Sequence, residues 1–184
     1  MNKKKMLTGP TYLTIARMVL AIVFVIFVMV PETWARIVAL VLFVVASLTD
    51  LIDGKWARKK KVETDLGAFL DPLADKMLVN LAFLVLVTLG VVPLWVFAVI
   101  LVRDLAVDGM RMMAAREGIT IAASIYGKWK TTLQMTALII ILLNLIVNLE
   151  VFAILGNIVL YIALILTVFS GMDYLIKGFQ KVIK

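Results

Sequence analysis

Apolar runs recur along the whole chain, each near the roughly 20 residues a helix needs to cross a bilayer, and short turns separate them. In hydrocarbon there is no water to bond the peptide groups, so such a run must satisfy them internally, as a helix. The composition agrees. Of the 184 residues, 64% are hydrophobic and the mean hydropathy is +1.08, against roughly half apolar in a soluble domain. The expectation is an all-α integral membrane protein, built as one domain over residues 1–184.

Six membrane-spanning helices are expected, at about Tyr12–Val30, Trp34–Ala57, Asp65–Leu89, Leu94–Arg116, Ala122–Leu149 and Phe152–Ile176. Pro31 closes the first, and Gly90 and Pro93 mark the turn after the third. Arg58 to Lys61, RKKK, reads as a basic loop between the second and third. The lead MNKKKMLTGP resembles the n-region of a signal peptide, but no small-residue cleavage site follows, so the first helix is read as retained. Arg17 in its first turns is expected to snorkel to the interface. The closing KGFQKVIK is basic and amphipathic.

Six spans put both termini on one side. That side collects Lys3, Lys4, Lys5, the RKKK segment, Arg111, Arg116, Lys128, Lys130, Lys177, Lys181 and Lys184. The opposite turns, near Pro31, Gly90 and Glu150, have only Arg36 close by. The positive-inside rule therefore sets both termini in the cytoplasm.

Cys and His are both absent. Thiol nucleophiles, imidazole bases, disulfides and zinc sites with Cys or His ligands are excluded. A metal here must be a hard cation held by oxygen: Mg²⁺, Mn²⁺ or Ca²⁺. The net charge of +7 suits membrane orientation and anionic lipid. The basic residues are not interleaved with aromatics, so no nucleic-acid partner is expected.

Against this apolar background, Asp50 to Lys76, DLIDGKWARKKKVETDLGAFLDPLADK, carries five aspartates. Asp50 and Asp53 are three residues apart and Asp71 and Asp75 four apart, spacings that share a helix face. If the basic loop reverses the chain, the two helix ends bring four carboxylates together. Bare carboxylates at such a site repel and resist ionising; divalent cations resolve the conflict, and two of them about 3.5–4 Å apart form the usual clamp for phosphoryl transfer. Gly54, Ala57 and Gly67 leave room for a ligand near the backbone, or for close helix packing. Arg58 suits a diphosphate through its planar fork. Asp65 falls outside the pattern and reads as a cap or a solvated charge.

The segment spells Asp-x2-Asp-Gly-x2-Ala-Arg-x8-Gly-x3-Asp-x3-Asp. It resembles the signature of the CDP-alcohol phosphotransferases, with all eight fixed positions and their spacing intact, and the six-span layout resembles that family along the whole chain. The resemblance implies that fold, and it implies that Asp50, Asp53, Asp71 and Asp75 hold two Mg²⁺ or Mn²⁺ ions. Asp75 would also be the general base toward the acceptor hydroxyl. Gly54, Ala57, Arg58 and Gly67 would receive the cytidine diphosphate. The acceptor would attack the phosphorus bearing the lipid and CMP would leave. The resemblance further implies a homodimer, and the positive-inside count puts the aspartates, and so the active site, on the cytoplasmic side of the cell membrane.

The signature does not choose the acceptor alcohol. RDLAVDGMR puts Arg103 and Arg111 eight residues apart, nearly on one helix face, and GKWKTT supplies Lys128, Lys130 and Thr131. These read as a cationic pocket for an acceptor that itself carries a phosphate, or, residue by residue, as positive-inside charge. These segments, with GAFLDPLADK, are similar to those of the bacterial phosphatidylglycerophosphate synthases within the family. That similarity implies CDP-diacylglycerol and sn-glycerol 3-phosphate as substrates. TGPTYLTIAR keeps Pro10, Thr14 and Arg17 of the subgroup's N-terminal run but has Thr8 and Thr11 where Asn is usual. Asp104 and Asp108 stand where many relatives have Glu and Thr; Asp108 either holds the arginines in place or weakens the pocket's field.

Two alternatives stand beside this reading. One is the same chemistry with inositol phosphate, serine or phosphatidylglycerol as acceptor. The other is a divalent-cation transporter using the aspartates, although such sites usually lie near the midplane among repeats and broken helices.

Overall fold

A computed structural model describes the backbone of residues 9–60, 65–118 and 125–182. It describes the side chains of those segments except at residues 9–13, 50–60, 65–75, 115, 125, 126, 128, 181 and 182. Among the described residues all regular structure is helical: α1 (Gly9–Met29), α2 (Thr33–Lys60), α3 (Asp65–Thr88), α4 (Leu94–Arg116), α5 (Ile125–Val147) and α6 (Glu150–Val182).

The helix ends follow local chemistry. Pro10 sits in the first turn of α1, where a missing N–H costs nothing, and Pro31 prevents continuation past its end. After α3, Gly90 takes φ +70°; its N–H bonds the Val87 carbonyl at 2.9 Å and the Val91 N–H bonds that of Leu86 at 2.9 Å. That pair of bonds is the Schellman stop, and the left-handed position favours glycine. Asn148 ends α5 with φ 53°, the residue type that best tolerates this region after glycine. Two helices outrun the expectation. α2 continues through Arg58 to Lys60, where basic side chains complement the negative end of the helix dipole. α6 continues to Val182, because the amphipathic tail has no proline and its glycine, Gly178, costs a helix interior only about 1 kcal/mol.

The chain divides into two compact units, Met1–Val85 and Leu86–Lys184, with the boundary inside α3. In the first unit α1 packs on α2. Thr14, Arg17, Ala21, Phe24 and Val28 form the buried stripe of α1, at alternating steps of three and four. Ala35, Ala39 and Phe43 face inward on α2, and the Phe24 and Phe43 rings meet at 5.6 Å between centroids. Arg17 therefore does not snorkel: its register puts it on the inward stripe, 5% exposed.

In the second unit α6 packs against both α4 and α5. Its buried stripe, Gly156, Leu160, Ala163, Thr167, Ser170 and Tyr174, changes from apolar to polar toward the C-terminal end. Long outward stripes are apolar, including Val19, Ile22 and Ile26 on α1 and Ile158, Ile162 and Ile165 on α6, all exposed. Apolar stripes this long and regular fit hydrocarbon as the solvent. Among the described residues, Trp129–Val147 and Glu150–Gln180 are long and apolar enough to cross a membrane.

Candidate functional site

The first unit carries the motif. Asp50, Asp53, Gly54, Ala57 and Arg58 all lie on the C-terminal part of α2, and Gly67, Asp71 and Asp75 on the N-terminal half of α3. Continuous helix through both segments puts Asp50 and Asp53 on one face of α2 and Asp71 and Asp75 on one face of α3. The side chains of these eight residues lie outside the described residues, and so does any metal geometry they make. Their donor chemistry fits a hard divalent cation: four carboxylates, in a chain with no softer ligand of the Cys or His type.

The second unit carries the cations, and they are built into a buried polar network across three helices. Arg103 on α4 reaches α6: Nε donates to the Thr167 carbonyl at 3.1 Å and one terminal nitrogen donates to Ser170 Oγ at 2.7 Å. The other terminal nitrogen donates to Oδ1 of the adjacent Asp104 at 2.9 Å. Lys130 on α5 donates to that same oxygen. Gln134, one turn further along α5, donates to Thr167 Oγ1 at 3.2 Å, and Thr167 Oγ1 donates back to the Ala163 carbonyl at 2.6 Å. Asp104, Lys130, Gln134, Thr167 and Ser170 are all buried. Two cations share one carboxylate away from solvent, an arrangement that persists only when hydrogen bonds satisfy the remaining donors.

Gly171 makes this approach possible. A Cβ at that position would lie 2.6 Å from Arg103 Cγ and 2.9 Å from its Nε. Along the same contact an apolar groove of about 430 Å³ runs between α4 and α6, lined by Ala98, Val102, Ala106, Val168 and Met172 together with Arg103.

Of the five residues expected to form a cationic pocket, Arg103 and Lys130 thus meet through Asp104. Arg111 lies two turns further along α4, exposed, with its Cζ 5.8 Å from the centroid of the buried Tyr174 ring on α6. Thr131 is exposed and its hydroxyl donates to the Gly127 carbonyl of its own helix at 3.2 Å. The Lys128 side chain lies outside the described residues. Sequence reasoning did not reach Gln134, Thr167, Ser170 or Tyr174. The available signal was the α6 periodicity, which puts Thr and Ser on the inward stripe of an otherwise apolar helix.

Residues 7–169 match the family model described as CDP-alcohol phosphatidyltransferase. The chain belongs to that family. The match contains the whole Asp50–Asp75 motif together with Arg103, Asp104 and Lys130, and ends one residue before Ser170. The chain is 38% identical over 184 residues to the CDP-diacylglycerol–glycerol-3-phosphate 3-phosphatidyltransferase of Bacillus subtilis, covering 93% of this chain and 95% of that one. It is 41% identical over 171 residues to the protein of the same name from Haemophilus influenzae, with 90% of each covered. A probable phosphatidylglycerophosphate synthase of Mycobacterium tuberculosis is 40% identical over 148 residues, covering 80% of this chain and 69% of its own length. An all-helical family member with long apolar helices fits a membrane enzyme.

Proposed function

We propose that this protein transfers the phosphatidyl group of CDP-diacylglycerol to sn-glycerol 3-phosphate, giving phosphatidylglycerophosphate and CMP. The observation that carries this is near full-length similarity to two transferases of that name, at 38% and 41% identity, with all eight motif positions intact. The acceptor hydroxyl attacks the phosphorus bearing the lipid, and the bond to the CMP oxygen breaks. Asp75 takes the hydroxyl proton. Asp50, Asp53, Asp71 and Asp75 would hold two divalent cations, Mg²⁺ or Mn²⁺, which when bound neutralise charge on the diphosphate and on the departing CMP. Arg58 would pair with the diphosphate, and Gly54, Ala57 and Gly67 would make room for the cytidine part.

Arg103, Arg111, Lys128, Lys130 and Thr131 serve the acceptor phosphate. Within this set the roles differ. Arg103 and Lys130 donate to Asp104 and to α6, so they contribute a buried positive field. Arg111 is exposed and has the donor geometry for two phosphate oxygens. The whole chain works as one domain with six membrane spans, both termini and the active site on the cytoplasmic side of the cell membrane, and it pairs as a homodimer. Lysine and arginine concentrated at the two ends of the sequence and in alternate inter-helix segments support that orientation.

The test is CMP release by purified protein with CDP-diacylglycerol and Mg²⁺, one acceptor at a time. Release with glycerol 3-phosphate alone is expected. Release with inositol phosphate, serine or phosphatidylglycerol instead would keep the chemistry and overturn the acceptor. No release with any of them would return cation transport to consideration.

A further inference from the structure

We infer that Tyr174 is a positioning residue for the acceptor: its ring holds the Arg111 guanidinium for an anionic ligand. The inference rests on the reading of Arg111 as an acceptor-phosphate contact. Three observations carry it. Arg111 Cζ lies 5.8 Å from the Tyr174 ring centroid, within the range of a cation–π contact. Tyr174 is itself immobilised, 4% exposed and packed with Val107, Met110 and Leu175, so it offers a fixed face. Among the described residues its hydroxyl is buried with no hydrogen-bond partner, and the ring is the part of the side chain that meets Arg111.

The contrast with Arg103 gives this contact its meaning. Arg103 is held by hydrogen bonds from its own N–H groups to Thr167, Asp104 and Ser170. Those donors are committed to the protein. A ring face attracts the cation through its quadrupole and takes no N–H. Arg111 is thereby oriented while its planar fork stays directed to a ligand, the condition for bidentate phosphate recognition. Ordering the side chain before the ligand arrives removes part of the entropy cost of binding. α6 thus restrains Arg103 and Arg111 of α4 by different means, one for the interior and one for the substrate.

The test uses the full chain in detergent or lipid, with Phe and its mono-, di- and trifluorinated forms at position 174. Fluorination drains the ring quadrupole at nearly constant volume, so folding is preserved across the series. Tyr174→Phe should keep the KM for glycerol 3-phosphate. The KM should then climb with each fluorine to about fivefold, while the KM for CDP-diacylglycerol stays level. In an Arg111→Ala background the series should be flat. A flat series in the presence of Arg111, or a Phe variant as impaired as the trifluorinated one, would overturn the inference while leaving the acceptor site standing. An Arg111→Ala variant that changes both KM values equally would overturn the acceptor-site reading and this inference together.

Discussion

Replacing Gly171 by Ala sets two known effects against each other, and the structure decides the sign. Alanine is the better helix former by about 0.8–1 kcal/mol in a helix interior. The new Cβ, however, would stand 2.6 Å from Arg103 Cγ, 2.9 Å from Nε and 3.3 Å from Cδ, where carbon contacts prefer about 3.5–4 Å. The clash meets the stem of the side chain, and its head is pinned by bonds of 3.1, 2.9 and 2.7 Å. Relieving it means moving the stem by roughly 1 Å and stretching these bonds beyond useful length. Overpacking costs about 1–3 kcal/mol, and each hydrogen bond involving a charged group contributes about 1.5–3. After subtracting the helix gain, a net loss of about 2–3 kcal/mol is expected. For a chain of this size that corresponds to a Tm lower by roughly 5–10 °C. Thermal unfolding in detergent, followed by circular dichroism, measures it. Gly109→Ala on α4 is the control: nothing among the described residues lies within 4 Å of its Cβ, so the helix gain stands alone and Tm should rise by about 2–3 °C. If Gly171→Ala matched the wild type or followed Gly109→Ala upward, the close packing of Arg103 on α6 would be refuted.

Three further outcomes are expected. Asp104→Asn removes the charge shared by Arg103 and Lys130 in a buried setting and should cost about 3 kcal/mol, with Asp104→Glu recovering part of it; an unchanged Tm for the Asn variant would contradict the shared ion pair. Asp75→Asn should keep substantial Mn²⁺ binding by calorimetry yet lower kcat by about 10²–10⁴; near-normal turnover would remove Asp75 from the role of base. Dialysis against a chelator should abolish CMP release, with recovery on adding Mg²⁺ or Mn²⁺; activity that survives chelation would exclude the aspartates as cation ligands for the reaction.

The motif could be read without any structure because its information is local. Eight residues at set spacings on two helices state which side chains share a face, and helical backbone through α2 and α3 keeps that register. The cationic residues were less legible. Arg103, Arg111, Lys128 and Lys130 could be named from sequence, but their partners could not. The Lys130–Asp104 contact joins residues 26 apart, and the Arg103–Ser170 contact joins residues 67 apart. Asp104 looked like a departure from a pattern and proves to be the carboxylate both cations share.

From sequence alone came six apolar helices in order, with boundaries near Pro31, Gly90 and Pro93, because hydrophobic length and backbone punctuation act within a turn or two of where they occur. The carboxylate pairs and the cation inventory came the same way, since each depends only on residue type and helical register. Tertiary structure decided what holds Arg103, Lys130 and Arg111. Close approach of α4 and α6 at Gly171 commits Arg103 to the interior, and the Tyr174 ring takes Arg111 two turns further on. A positive charge on a helix reads the same in sequence whether it neutralises a buried aspartate or lies over an aromatic ring. Only the neighbouring helix, by supplying an acceptor in one case and a ring face in the other, separates the two.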